Sequence, residues 1–239
     1  MTIAKRLGAV LLLAGLLSGC ATSSGNPADP LEPFNRAMFS FNDALDTTVV
    51  KPVAKGYRAV LPGFARTGVT NFFSNLEDVW ISANDLLQGK FQQGGQDFFR
   101  FLLNSVFGLA GLVDVAADAG FDKHNEDFGQ TLGTWGVGSG PYLVIPLLGP
   151  STVRDGLGFL VDTQADPVWR INDVPVRNSA VALRYVSRRA NLLDATDLID
   201  QAATDKYAFI RDAWLQRRRN LVYDGNPPRE RDDSEDDSK

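Results

Sequence analysis

Residues 96–107 constrain this chain more than any other stretch. Gln96, Arg100 and Asn104 recur every fourth residue and make one narrow polar stripe on a helix. Phe98, Phe99, Phe101, Leu102, Leu103, Val106 and Phe107 fill the rest of its circumference. A helix that is apolar over most of its surface is either buried deep in protein or faces lipid. Twelve residues reach about 18 Å, whereas a hydrocarbon core is about 30 Å thick. The segment is therefore too short to cross a bilayer, but it fits within one leaflet. At that depth polar groups are costly unless they face protein or water, which predicts that the stripe points inward.

The amino terminus supplies the compartment. Lys5 and Arg6 precede an apolar run from Leu7 to Leu17, and Leu17-Ser18-Gly19-Cys20 follows. A basic start, a short apolar stretch and small residues at a cleavage site make a secretory signal peptide, residues 1–19. Cys20 is the only cysteine, which excludes a disulfide framework. Its place directly after Leu-Ser-Gly resembles a bacterial lipoprotein box, so Cys20 is expected to be the lipidated first residue of the mature chain. Two or more acyl chains give stable anchoring where one does not. Ala21, rather than aspartate, follows the cysteine and points towards the outer membrane.

Without its leader the chain loses two basic and no acidic residues, so its net charge becomes more negative than the −5 of the whole sequence. Nucleic-acid binding, which calls for a basic face, is excluded on that ground. Residues 20–33 read as a lipidated tether, 34–224 as one domain, and 225–239 as a disordered acidic tail. Eleven of the fifteen phenylalanines lie between Phe34 and Phe107. They form either an aromatic core or a surface that meets lipid.

The domain reads as all-α, built from short amphipathic helices and a Gly/Pro-rich loop segment. Helical spacing covers residues 34–46. Pro52 and Pro62 bracket a helix from Val53 to Leu61, and residues 64–87 give one or two helices, with Ser74 and Glu77 as a capping box at the restart. Leu112 to Ala119 is a further short helix. The glycine-dense stretch from Gly129 to Gly149 contains Tyr142-Leu143-Val144-Ile145 as an extended or loop segment. Thr152 with Asp155 fits a second capping box, opening a helix to about Val161. Helices over 177–203 and 205–219 close the domain, and Arg217-Arg218-Arg219 is expected to be solvated.

Catalytic chemistry has little support. His124 is the only histidine; Asp122 or Asp127 would be its partner in a hydrolase, but Gly-x-Ser-x-Gly is absent. Its charged surroundings predict an exposed loop. No metal is expected, because one histidine and no free thiol make a poor zinc set, and Asp122, Glu126 and Asp127 do not form an EF-hand calcium loop. Gly136-Val137-Gly138-Ser139-Gly140 lacks the spacing of a nucleotide-binding loop. The chain is read as a non-enzyme without a cofactor.

Several blocks together resemble the MlaA/VacJ family of outer-membrane lipoproteins. They are Asp29-Pro30-Leu31-Glu32-Pro33-Phe34-Asn35-Arg36, Phe39-Ser40-Phe41-Asn42, Asn71-Phe72, Asn75-Leu76-Glu77 and Leu87-Gln88-Gly89. Arg100-Phe101-Leu102-Leu103-Asn104-Ser105 and the Gly111 to Asp114 stretch continue the match. Asp127-Phe128-Gly129-Gln130-Thr131-Leu132-Gly133 then runs on through Gly136 to Tyr142, Pro146 and Arg154-Asp155. Lys206 stands where the family often has proline between aspartate and tyrosine. The resemblance implies a ring-like set of short helices embedded in one leaflet, with acyl chains, palmitate among them, on Cys20. It implies a central polar channel that takes mislocalised phospholipid from the outer leaflet to a soluble periplasmic lipid carrier, preserving lipid asymmetry, with trimeric porins as partners. Arg100 and Asn104 are then candidate channel lining, and Gly136, Gly138, Gly140, Pro141 and Tyr142 a candidate channel wall or gate. A structural lipoprotein that scaffolds porins and a phospholipase-like hydrolase are the rival readings.

Overall fold

The computed structural model describes residues 26–228. The signal peptide, Cys20, the first part of the tether and residues 229–239 lie outside them. The described chain is mainly helical, as expected, with one two-stranded hairpin.

Helix α1 (Glu32–Leu45) carries Pro33 in its first turn, where a missing N–H costs nothing. Pro52 does not start a separate helix. The chain passes from α1 through a π-helical turn, Asp46–Val50, into α2 (Lys51–Val60) with αR backbone at each junction. Pro52 cannot donate to a carbonyl one turn back, and the wider π turn absorbs that missing bond.

Helix α3 (Gly63–Leu87) is uninterrupted, so Ser74 and Glu77 cap nothing. A turn at Gly89, with φ +80°, leads into α4 (Phe91–Val106), which starts five residues before the apolar stretch. The two helices touch at Gly94: a Cβ there would lie 3.0 Å from the Ser82 carbonyl oxygen and 3.1 Å from Asp85 Cβ. Ser82 Oγ donates to the Gly94 carbonyl at 2.7 Å. A side chain here would push the two helices apart by a few tenths of an ångström, so glycine suits this approach, which sets Asp85 beside α4.

Helix α5 (Val115–Asp118) is capped by Asp114. After an irregular stretch, α6 (Phe128–Thr134) is capped by Asp127. Strands β1 (Tyr142–Ile145) and β2 (Gly149–Thr152) pair antiparallel, Tyr142 opposite Thr152 and Ile145 opposite Gly149. Thr152 then caps α7 (Val153–Ala165), accepting from the Asp155 N–H as its spacing predicts. That helix runs one turn further than Val161.

Past a 3₁₀ turn, Pro167–Arg170, come α8 (Val174–Asn191) and α9 (Leu193–Ala202), divided at Leu192 where a single helix was expected. Pro175 lies within the first turn of α8. Helix α10 (Lys206–Val222) is capped by Asp205. Lys206 fits its first position without strain, reaching Asp43 at 2.6 Å and Asp200 at 2.7 Å.

Burial is inverted relative to a soluble domain. Among the described residues, ten hydrophobic residues are buried against nineteen polar or charged ones. Six of the ten form two small clusters, Ala54 with Ala190 and Leu193, and Tyr142 with Val144 and Tyr207. Phe64, Phe91, Phe107, Leu157 and Leu160 are all exposed. Among the described residues, no helix is long and apolar enough to cross a membrane.

Candidate functional site

The inward stripe of α4 is a set of bonded polar groups, and it begins earlier than the sequence suggested. Gly94, Asp97, Arg100 and Asn104 are its buried residues, while Gln96 is only half-buried. Arg100 donates through both terminal nitrogens: one to the Phe121 carbonyl, the other to Asp114 at 2.8 and 3.1 Å. Asn104 donates to Asp114 at 2.9 Å and accepts from the Ala116 N–H at 2.9 Å. Burial pushes the Asp114 carboxyl up, but bonds from Asn104, the Ala117 N–H and Arg100 outweigh it and hold it below the usual range. Arg100 and Asn104 do point inward, and there they pin the α5 region to α4.

This places the following loop. Lys123 reaches the Ser74 carbonyl at 3.1 Å and bonds the Asp78 carboxylate of α3. Burial pushes Asp78 up to about 6, against the opposing pull of the Lys123 and Arg100 charges. His124, expected on an exposed loop, has its Nδ1 2.8 Å from Asp97 Oδ2. Asp127, one of its two partners proposed from sequence, instead caps α6 and pairs with Arg218. Arg218 is correspondingly not solvated: it bridges Asp127 at 2.6 Å and Asp155 at 2.9 Å.

A cavity of about 140 Å³ opens between α3, this loop and α8. Lys123, Arg184 and Arg188 bring three cations to it, with Glu77 as the acidic member. Arg184 pairs with Asp166 at 2.5 Å and lies 3.9 Å from Glu77, and Arg188 bonds Glu77. Phe73, with the Arg184 guanidinium 5.9 Å from its ring centre, supplies an apolar wall. Guanidinium and ammonium donors beside such a wall suit an anion that carries apolar chains, because their carboxylate partners can be exchanged for phosphate oxygens.

A second cavity, about 220 Å³, lies across α8 and is lined by Asn42, Asp46, Tyr185, Arg189 and Lys206, with Leu147 from the hairpin. Arg189 grips Asp46 through two bonds of 2.7 and 2.8 Å. Asn42 clamps the hairpin, donating to the Ile145 carbonyl at 3.0 Å and accepting from the Leu147 N–H at 2.8 Å.

The glycine-rich candidates sit elsewhere. Gly136, Gly138, Gly140 and Pro141 are exposed, and Gly138 has nothing within 4 Å of where a Cβ would be. Tyr142 is fully buried in β1, with its ring 6.4 Å from that of Tyr207. Sequence reading missed Lys123, Arg184, Arg188 and Asp97. The i,i+4 spacing of Arg184 and Arg188 was a visible signal, but their partners Asp166 and Glu77 lie on other elements.

Comparison with known proteins agrees with this architecture. A family model described as MlaA lipoprotein matches residues 27–221. The intermembrane phospholipid transport system lipoprotein MlaA of Escherichia coli K12 is 40% identical over 219 residues, spanning 89% of this chain and 86% of the relative. Its namesake in Haemophilus influenzae is 33% identical over 230 residues, 92% of each. A solved structure from work on the structural basis for maintenance of bacterial outer membrane lipid asymmetry superposes with a TM-score of 0.72 at 37% identity. It covers 81% of this chain and 98% of that one.

Proposed function

This chain belongs to the MlaA lipoprotein family, and on that basis we propose that it removes mislocalised phospholipids from the outer leaflet of an outer membrane and delivers them to a soluble periplasmic lipid carrier. The observation that carries this reading is the inverted burial: charges and amides inside, large apolar side chains outside. Such a body is stable where its surroundings are hydrocarbon and its interior is wet or bonded. Helices that are not both long and apolar enough to cross then rest in one leaflet, held there by acyl chains on Cys20 and flanked by a trimeric porin.

A phospholipid needs a path with a polar side for its headgroup while its tails remain near apolar surface. The cavity bearing Lys123, Arg184 and Arg188 offers that side, with Phe73 beside it. Arg100 and Asn104 hold the wall that presents Lys123. The exposed Gly136–Pro141 stretch, which leads directly into β1, is the candidate gate. No step in this passage breaks a bond, so the protein acts as a conduit rather than an enzyme.

The test is phospholipid exposure in the outer leaflet of a strain lacking this gene. Exposure should rise on deletion and fall when the wild-type gene is restored. Arg188→Glu, which reverses an exposed charge at the cavity, should restore it only in part. Unchanged exposure in the deletion strain would favour a scaffold for porins and would end the transport reading.

A further inference from the structure

Behind the cavity wall, three potential ligands from three separate parts of the chain converge. Asp85 comes from the last turns of α3, Asp97 from α4, and His124 from the loop between α5 and α6. One ligand atom from each lies within 4.8 Å of the other two. Both aspartates are fully buried, and neither oxygen of Asp85 has a hydrogen-bond donor. A buried carboxylate without a donor is costly unless a proton or a cation compensates it. Burial, with Asp97 and Glu126 nearby, pushes Asp85 up to about 8, so a metal ion would take the place of a proton there. Lys90, which acts on Asp85 through space, is already bonded to Glu126 at 3.1 Å and to Asp224 at 2.5 Å. The adjoining Glu126 adds further negative charge.

We propose that Asp85, Asp97 and His124 bind a single divalent transition-metal ion, which locks the loop carrying His124 to the α3–α4 hairpin. Two carboxylate oxygens and one imidazole nitrogen, with a fourth position left for water, are a donor set suited to zinc. Calcium requires six to eight oxygens and is poorly served by three protein ligands that include an imidazole. Zinc bonds of about 2.0–2.2 Å set tetrahedral ligand atoms about 3.3–3.6 Å apart, so the 2.8 Å hydrogen bond between His124 and Asp97 must open while Asp85, within 4.8 Å, moves in. His124 is flanked by Lys123 and Asn125, both of which line the 140 Å³ cavity. The ion would therefore fix the wall that presents Lys123. The expectation of no metal rested on one histidine without cysteines, and it could not see carboxylates brought in from residues 27 and 39 positions earlier.

The test uses the full lipidated protein without a histidine tag, purified in detergent, stripped with a chelator and titrated with zinc ions. One ion per chain should bind, and it should raise the melting temperature by about 5–10 °C at saturating zinc. Asp85→Asn and His124→Ala should each weaken binding at least about 100-fold. The X-ray absorption spectrum of the wild-type zinc complex should show oxygen ligation and one imidazole. Because it requires no variant, it decides the matter even if a substitution prevents folding. Three results overturn the proposal: no ion retained by wild-type protein, binding that survives both substitutions, or a spectrum without an imidazole. None of them bears on phospholipid exposure in the deletion strain, so the site and the transport reading fail separately.

Discussion

Arg100 shows how much one side chain can organise. It is 2% exposed, and its terminal nitrogens hold the Phe121 carbonyl and the Asp114 carboxylate. Arg100→Ala takes the cationic partner from Asp114, leaves the Phe121 carbonyl without its donor and removes a charge facing buried Asp78, so it should cost about 3–5 kcal/mol in a denaturant melt. Arg100→Lys, with one ammonium in place of a fork, should recover only part of that. Asp78 supplies a pH signature. Burial raises it to about 6 in the folded state, above the ordinary value of about 3.9 for an unfolded aspartate. Between those values the folded protein holds a proton that the unfolded chain has released. Its contribution is fully present below about pH 4 and is lost as pH rises through 6. The stability of wild-type protein relative to Asp78→Asn should therefore fall by about 2–3 kcal/mol between pH 4 and pH 7.

Elements meet here through glycines and clamps more than through large apolar faces. Helices α6 and α7 touch at Gly158, where a Cβ would lie 2.5 Å from the Gly129 nitrogen. Backbone cannot yield as a flexible side chain does, so Gly158→Ala should cost about 1–3 kcal/mol in a denaturant melt. Gly138 is the contrast. With open space around it, Gly138→Ala should change stability by less than about 0.5 kcal/mol, which frees that variant to report on gating alone. Element types were largely legible in the sequence: the Thr152 cap and the apolar stretch within α4 stand as their residues foretold. Over α3 the sequence left one or two helices open, and the restart at Ser74 is absent, because a Ser-x-x-Glu pattern looks the same at a helix start and in its middle. In this fold Glu77 serves Arg184 and Arg188 of α8 instead. Pro52 misled similarly, since no local pattern announces a π turn.

At the scale of the molecule, the exposed apolar side chains matter most. Phe64 is 82% exposed and Phe107 72%, and such side chains in numbers mark a surface made to be covered. Lipid as the cover gives a direct prediction. A chain beginning after Cys20, exported behind a cleavable leader, should still float with liposomes and resist extraction by high salt. Recovery in the soluble fraction would mean that the acyl chains alone hold the protein to the membrane.

The sequence alone determined what depends on neighbours along the chain: helices from apolar spacing, and an α4 stretch apolar over most of its circumference and too short to span. The inward set of Arg100 and Asn104 was legible as well, because a period of four residues maps onto one helix face. Tertiary structure decided what those groups meet. Arg100 joins Asp114, His124 joins Asp97 rather than Asp122 or Asp127, and Arg218 turns inward to Asp127 and Asp155. Pairings between distant segments leave no periodic mark, since a charge facing water and one facing its partner occupy the same helical position. The cavity on α8 and the cluster behind it are therefore properties of the fold.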